Sequence, residues 1–199
     1  CKDAWTDNPD HTQEDESYNE AEVQRAVQYA KQYPDIIKMI AVGNEAMVHW
    51  AISYFVPPSV ILKWVNYLQE LKRKGELPSD LWITSSDDFA AWGGASDNYH
   101  TEDLNRLIAA VDFVSMHTYA FHNSHYSPDY WYSRDPSLSK IEQIDASMQR
   151  AGEFAAGQYN DVKQYILSLG IDKPVHIGET GWATATNGFY GAEGSQAAD

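Results

Sequence analysis

Four times along this chain, a stretch with helical apolar spacing is followed by a short apolar run, and each run ends in polar side chains of catalytic type. The first helical stretch, 17–33, opens with Ser17 and Glu20 in capping-box spacing, aligns Val23, Ala26, Val27 and Ala30 on one face, and stops at Pro34. Ile36 to Val42 then reads as a strand buried on both faces, ending in Gly43-Asn44-Glu45. A second helix is predicted from Ser59, with Val60, Trp64, Val65, Leu68 and Leu71 inward and Lys72, Arg73, Lys74 and Gly75 closing it. The strand Leu81 to Thr84 runs into Ser85-Ser86-Asp87-Asp88. Thr101 caps a shorter helix with Leu104, Leu107 and Ile108 inward, and Asp112 to Met116 leads as a strand into His117-Thr118-Tyr119. A long aromatic loop, 120–138, precedes a helix opened by Ser139 and Glu142 that runs to Gly170, with a break expected near Gly152 or Gly157. The last strand, Pro174 to Gly178, delivers Glu179.

Strands that alternate with helices imply right-handed βαβ units and a parallel sheet, so the class is α/β. An open doubly wound sheet gathers function at one switch point, and no Gly-rich phosphate loop follows any strand here. A (β/α)8 barrel brings all its strand ends to one face. Chemistry at every strand end therefore favours the barrel.

A single domain is expected over 1–199, since 43% apolar residues suffice for one core and no linker or charge block divides the chain. The net charge of -15 argues against binding nucleic acid or an anionic membrane, which leaves a neutral partner. The single Cys1 rules out an internal disulfide and any Cys-based zinc cage. No run approaches the roughly eighteen apolar residues of a membrane helix, so membrane insertion is not expected.

Two strand-end glutamates, Glu45 and Glu179, suggest glycoside cleavage. One carboxyl group protonates the leaving oxygen, while the other attacks or activates water; retaining enzymes hold the pair about 5 to 5.5 Å apart. A lone glutamate after a strand is ordinarily a helix cap or a solvated charge. Two on different strands, one after Gly-Asn and one before Thr-Gly-Trp, are harder to dismiss. Asn44 offers an amide for a sugar hydroxyl.

The run Ala41-Val42-Gly43-Asn44-Glu45 resembles the strand-four motif of the large clan of barrel glycosidases whose acid/base follows an Asn. His176-Ile177-Gly178-Glu179-Thr180-Gly181-Trp182 resembles the strand-seven nucleophile motif of family 17 glycoside hydrolases, the β-1,3-glucanase family. The resemblance implies Glu45 as proton donor, Glu179 as nucleophile, Asn44 as a sugar ligand and Tyr119 near the nucleophile. It also implies an incomplete (β/α)8 TIM barrel from the end of strand three, near Trp5-Thr6-Asp7, through strand seven. The domain would be truncated at both ends, and these 199 residues alone would be inactive. Ala183 stands where the plant-type motif continues with Pro, which implies a divergent, bacterial-like subgroup. The same resemblance implies a secreted, periplasmic or cell-surface setting, and a monomer is expected.

Further candidates for substrate binding are His117, whose alternation with Met116 and Thr118 points it inward, Trp182, which suits a stacking platform and a seal on the core equally, and Asp88. Asp87 and Asp88 both suit substrate hydroxyls, but acidic residues after a strand also make turns and helix caps, and that reading is favoured for at least one of them. His122 and His125 lie in the aromatic loop without a ligand cluster, and neither His-Glu-x-x-His nor a two-Cys knuckle occurs. No catalytic metal and no cofactor are expected. The activity expected is retaining hydrolysis of β-glucan, β-1,3-linked; a transglycosylase using the same residues and a non-catalytic carbohydrate-binding barrel are the alternatives.

Overall fold

The structure, a computed structural model, describes residues 2–3, 6–120 and 135–181. Helix α1 (Glu16–Gln32) buries Val27 and Ala30. Its cap is Asp15 rather than Ser17: the Asp15 carboxylate accepts the Tyr18 N–H at 3.2 Å, so the helix begins before the expected capping box. Strand β1 (Met39–Asn44) follows. Helix α2 (Pro58–Arg73) starts on a proline, whose fixed φ suits the first turn, and buries Ile61, Leu62, Trp64, Val65, Leu68 and Leu71.

Strand β2 (Trp82–Asp88) is longer than the sequence suggested and takes in the whole Ser-Ser-Asp-Asp run. Helix α3 (Glu102–Ala110) is capped by Thr101, whose hydroxyl accepts the Leu104 N–H at 3.2 Å, and leads to β3 (Val114–His117). Helix α4 (Lys140–Ser168) opens with the expected capping box of Ser139 and Glu142. It continues unbroken through Gly152 and Gly157, because its buried face, Ala151, Gln158, Val162 and Ile166, holds it along its length. Strand β4 (Val175–Glu179) completes the order.

The strands form one parallel sheet in the order β1-β2-β3-β4. Each strand lies beside its predecessor, and right-handed crossovers in a constant direction return to the same side, so the helices collect on one face. There Val42, Ile83, Val114 and Met116 pack with Leu68, Leu104, Ile108, Val162 and Ile166 in one apolar layer. Truncating a buried leucine such as Leu68 would cost about 2–5 kcal/mol.

The expected TIM barrel, strand three through strand seven, is not what this fold shows. The described residues make an open four-stranded sheet with β1 and β4 at its edges. The α/β class and the parallel sheet hold. The argument for a barrel relied on all strand ends meeting on one face, but an open parallel sheet wound in one direction does the same, so strand-end chemistry does not determine closure.

At the end of the sheet away from those polar residues, Asp112 joins three elements. Its Oδ2 accepts the Ile83 N–H at 2.7 Å and Lys72 Nζ at 2.8 Å, and Gln69 Nε2 donates to Oδ1 at 3.2 Å. Burial pushes this carboxyl up, but the ammonium and the N–H donors together outweigh it and hold it below the usual range.

Candidate active site

Both glutamates are delivered by an irregularity in an edge strand. In β1, Ala41 pairs with Thr84 and Asn44 with Ser86, so β1 carries one more residue than β2 over this step. Gly43 takes φ 88° there, a conformation that favours glycine. Glu45 itself sits at φ 46°, uncommon for a residue with a side chain, and its N–H donates to the Ser86 carbonyl at 2.9 Å. In β4 the extra residue is Gly178: Met116 pairs with Ile177, and His117 with Glu179. A Cβ on Gly178 would collide with Ser115 Oγ and lie 3.1 Å from Ser86 Oγ, so only glycine fits against these hydroxyls.

Between the two carboxylates lies His117, fully buried at the end of β3. Its Nδ1 is 2.9 Å from Glu45 Oε1 and 3.6 Å from Glu179 Oε2, and its Nε2 is 2.7 Å from Ser86 Oγ. Ser86 Oγ in turn lies 3.0 Å from Ser115 Oγ. With Glu45 ionised, the carboxylate can only accept, so Nδ1 carries the proton and Nε2 accepts from the Ser86 hydroxyl. Tyr119 donates its O–H to Glu179 Oε2 at 2.9 Å. Burial first, then the Glu179 carboxylate, pushes the Tyr119 phenol up to about 12, so it remains a donor at any ordinary pH.

The residues expected to contact substrate divide. Asn44 is exposed beside Glu45. His117 is not available to a sugar hydroxyl: both its nitrogens are occupied and no surface reaches solvent, so it holds the carboxylates from beneath. Asp88 is partly buried, and its Oδ1 accepts the Ala90 N–H at 2.9 Å, the turn role weighed for it. Burial raises its carboxyl, and the nearby Glu45 charge adds to this. Trp182, His122 and His125 lie outside the described residues.

Two contributors were not anticipated, and a third, Asp87, was weighed only for substrate, turn and cap roles. Ser86 and Ser115 support the imidazole. Asp87, fully buried, accepts the Met47 N–H at 2.9 Å on Oδ2 and the Asp88 N–H at 2.9 Å on Oδ1, pinning the chain just after Glu45. Burial pushes the Asp87 carboxyl up to about 7, against the pull of those two N–H groups. Period-two alternation was the available signal, since Ser86 pairs with Ser115 and Asp88 with His117 across β2 and β3.

One carboxylate oxygen from each glutamate and a nitrogen of His117 all lie within 4.8 Å of one another, a set able to hold a cation as well as a proton. Two carboxylates facing each other at one end of a sheet, one bound by a phenol and the other by an imidazole, suit acid–base and nucleophilic chemistry on a single bond.

No protein-family model matches the chain, and no curated protein matches it. Among solved structures, it is similar to a crystal structure of an endo-laminarinase from Formosa Hel1_33_131, with 58% sequence identity and a TM-score of 0.92. The match covers 98% of this chain and 50% of that one, so the chain spans about half the length of the structure it resembles.

Proposed function

We propose that the protein to which this chain belongs is a retaining glycoside hydrolase that cleaves β-glucan, with β-1,3-linked chains as substrate. The carrying observation is the spacing of Glu45 and Glu179, whose nearest carboxylate oxygens lie within 4.8 Å. That agrees with the roughly 5 to 5.5 Å of retaining enzymes, against about 6.5 to 9.5 Å when a water must fit between the groups. The likeness to an endo-laminarinase supports the substrate class, and the motifs around both glutamates support a family 17-like subgroup.

In this reading Glu179 attacks the anomeric carbon as Glu45 gives its proton to the departing oxygen, which breaks the glycosidic bond and leaves a glycosyl ester on Glu179. Glu45, now ionised, takes a proton from water, whose oxygen attacks the same carbon and frees Glu179. Tyr119 occupies one oxygen of Glu179 and leaves the other to attack. His117 fixes the Glu45 carboxylate, and Asp87 fixes the backbone that follows it. Asn44 supplies an amide to the hydroxyl next to the reacting carbon.

The test is to follow reducing ends released from a β-1,3-glucan by the full-length protein and by its Glu179→Gln variant. The variant is expected to lose at least a thousandfold in kcat. Equal activity in both would remove Glu179 from the nucleophile's role, and a first-formed product of inverted configuration would remove the double displacement.

A further inference from the structure

Two consecutive residues hold Glu179 at both ends. The Thr118 N–H donates to its carbonyl at 3.1 Å, and the Tyr119 hydroxyl donates to its Oε2 at 2.9 Å. Both donors lie just past the last residue of β3, and β4 is an edge strand of the described sheet. The place of Glu179 therefore depends on how Thr118 and Tyr119 are themselves fixed. Thr118 is buried, and its hydroxyl donates to Oε1 of Gln158 on α4. One helix side chain thus reaches the site through a single threonine.

Gln158 is the polar member of an otherwise apolar stripe. Ala151, Val162 and Ile166 share the buried side of α4 with it at helical spacing, and Gln158 is itself only 4% exposed. Ala151, Phe154 and Ala155 pack with Ala120, two residues beyond Thr118, so apolar contact already seats the helix against this stretch of chain. Leucine at position 158 would serve packing equally well. A buried amide is unfavourable unless its polar atoms are satisfied, and Nε2 of Gln158 has no hydrogen-bond partner among the described residues. The fold thus tolerates a destabilising group at Gln158 for one hydrogen bond, and that bond goes to the residue that grips the Glu179 backbone.

We infer that Gln158 is a positioning residue for glycosidic cleavage: through the Thr118 hydroxyl it fixes the N–H that holds the Glu179 backbone, and so sets where the attacking carboxylate stands. The inference rests on the nucleophile's role proposed for Glu179. Gln158 bonds Thr118 and neither glutamate, so its effect falls on the step in which Glu179 attacks and not on affinity for the glucan. A shift of about 1 Å in a reacting group can slow chemistry about a hundredfold, and loss of one supporting bond permits a smaller shift than that.

The experiment compares the full-length protein with its Gln158→Leu, Thr118→Val and Thr118→Ser variants and with the double variant Gln158→Leu/Thr118→Val. Two quantities are read: kcat and KM on a β-1,3-glucan, and the first-order constant for trapping by saturating 2-deoxy-2-fluoro-β-laminaribiosyl fluoride. In trapping, a Glu179 oxygen bonds the anomeric carbon as fluoride leaves. That constant is a rate per folded molecule, so a lower folded fraction does not change it. Gln158→Leu and Thr118→Val should each slow trapping and kcat about tenfold, with KM within about twofold of the parent's. The melting temperature of Gln158→Leu should stay within a few degrees of the parent's or rise, since the unsatisfied amide is gone. Thr118→Ser keeps the hydroxyl and should trap within about threefold of the parent, while the double variant should be no slower than either single one, as expected for two ends of one bond. Should Gln158→Leu not fold, Gln158→Met, of similar length, takes its place. An unchanged trapping constant in the folded variants, or losses that multiply in the double variant, would overturn the assignment. If Glu179→Gln cleaves the glucan as fast as the parent, the nucleophile reading fails and the role of Gln158 fails with it; if Glu179→Gln is inactive and Gln158→Leu is trapped at the parent's rate, only the role of Gln158 fails.

Discussion

The Nδ1 atom of His117 lies 2.9 Å from Glu45 Oε1, although His117 is wholly buried and Glu45 opens to the surface. The imidazole thus carries the position of a surface carboxylate into the sheet. His117→Ala would leave the Ser86 hydroxyl without its nitrogen partner and Glu45 without its donor. We expect a loss of about 1–3 kcal/mol in stability, read by urea unfolding, and a kcat reduced about ten- to a hundredfold with a smaller change in KM.

Tyr119→Phe removes one hydrogen bond to a carboxylate and little else from the site. Hydrogen bonds to charged groups contribute about 1.5–3 kcal/mol, so kcat should fall roughly ten- to a hundredfold while the melting temperature moves by only a few degrees. Because the phenol ionises only near pH 12, the variant's pH–rate profile should keep the shape of the parent's below pH 10.

Gly178→Ala should be more damaging than its size suggests, because the added methyl meets Ser115 Oγ immediately ahead of Glu179. Activity should drop at least tenfold. Ser115→Ala in the same chain removes the colliding oxygen and should restore part of that loss, a coupling read from the four kcat/KM values of the cycle.

Asp87 makes stability depend on pH in an unusual direction. Its carboxyl rises from an unfolded value near 3.8 to about 7 in the fold, so between these limits the folded state holds a proton that the unfolded state has released. Its contribution is greatest below about pH 4 and is lost as pH rises to about 7. Asp87→Asn has no such titration. The stability gap between the parent and Asp87→Asn should therefore narrow as pH is raised from 4 to 7, measured by urea unfolding at each pH.

Element order and the helix faces were legible because apolar spacing reports them directly, as with Val65, Leu68 and Leu71 in α2 or Leu104, Leu107 and Ile108 in α3. The two glutamates were legible for the same reason, each standing where an apolar run ends. Closure of the sheet was not, since local spacing carries no record of how many strands lie side by side. The support under the glutamates was missed because Ser86 and Ser115 are small polar residues whose role appears only when β2 and β3 are set in register. His117 was read as inward-facing, and it is, but burial makes it a prop for Glu45 and not a sugar contact.

The extra residues at Gly43 and Gly178 make the site a matter of parity. Side chains on a strand alternate between the helix side and the open side, so from Ile177, the partner of Met116, a regular strand would return Glu179 to the helix side. One inserted residue reverses that count and turns the carboxylate toward His117. Any change of length by one residue between Ala41 and Asn44, or between Ile177 and Glu179, would thus send Asn44 or Glu179 to the other side of the sheet, even with both glutamates still present in the sequence.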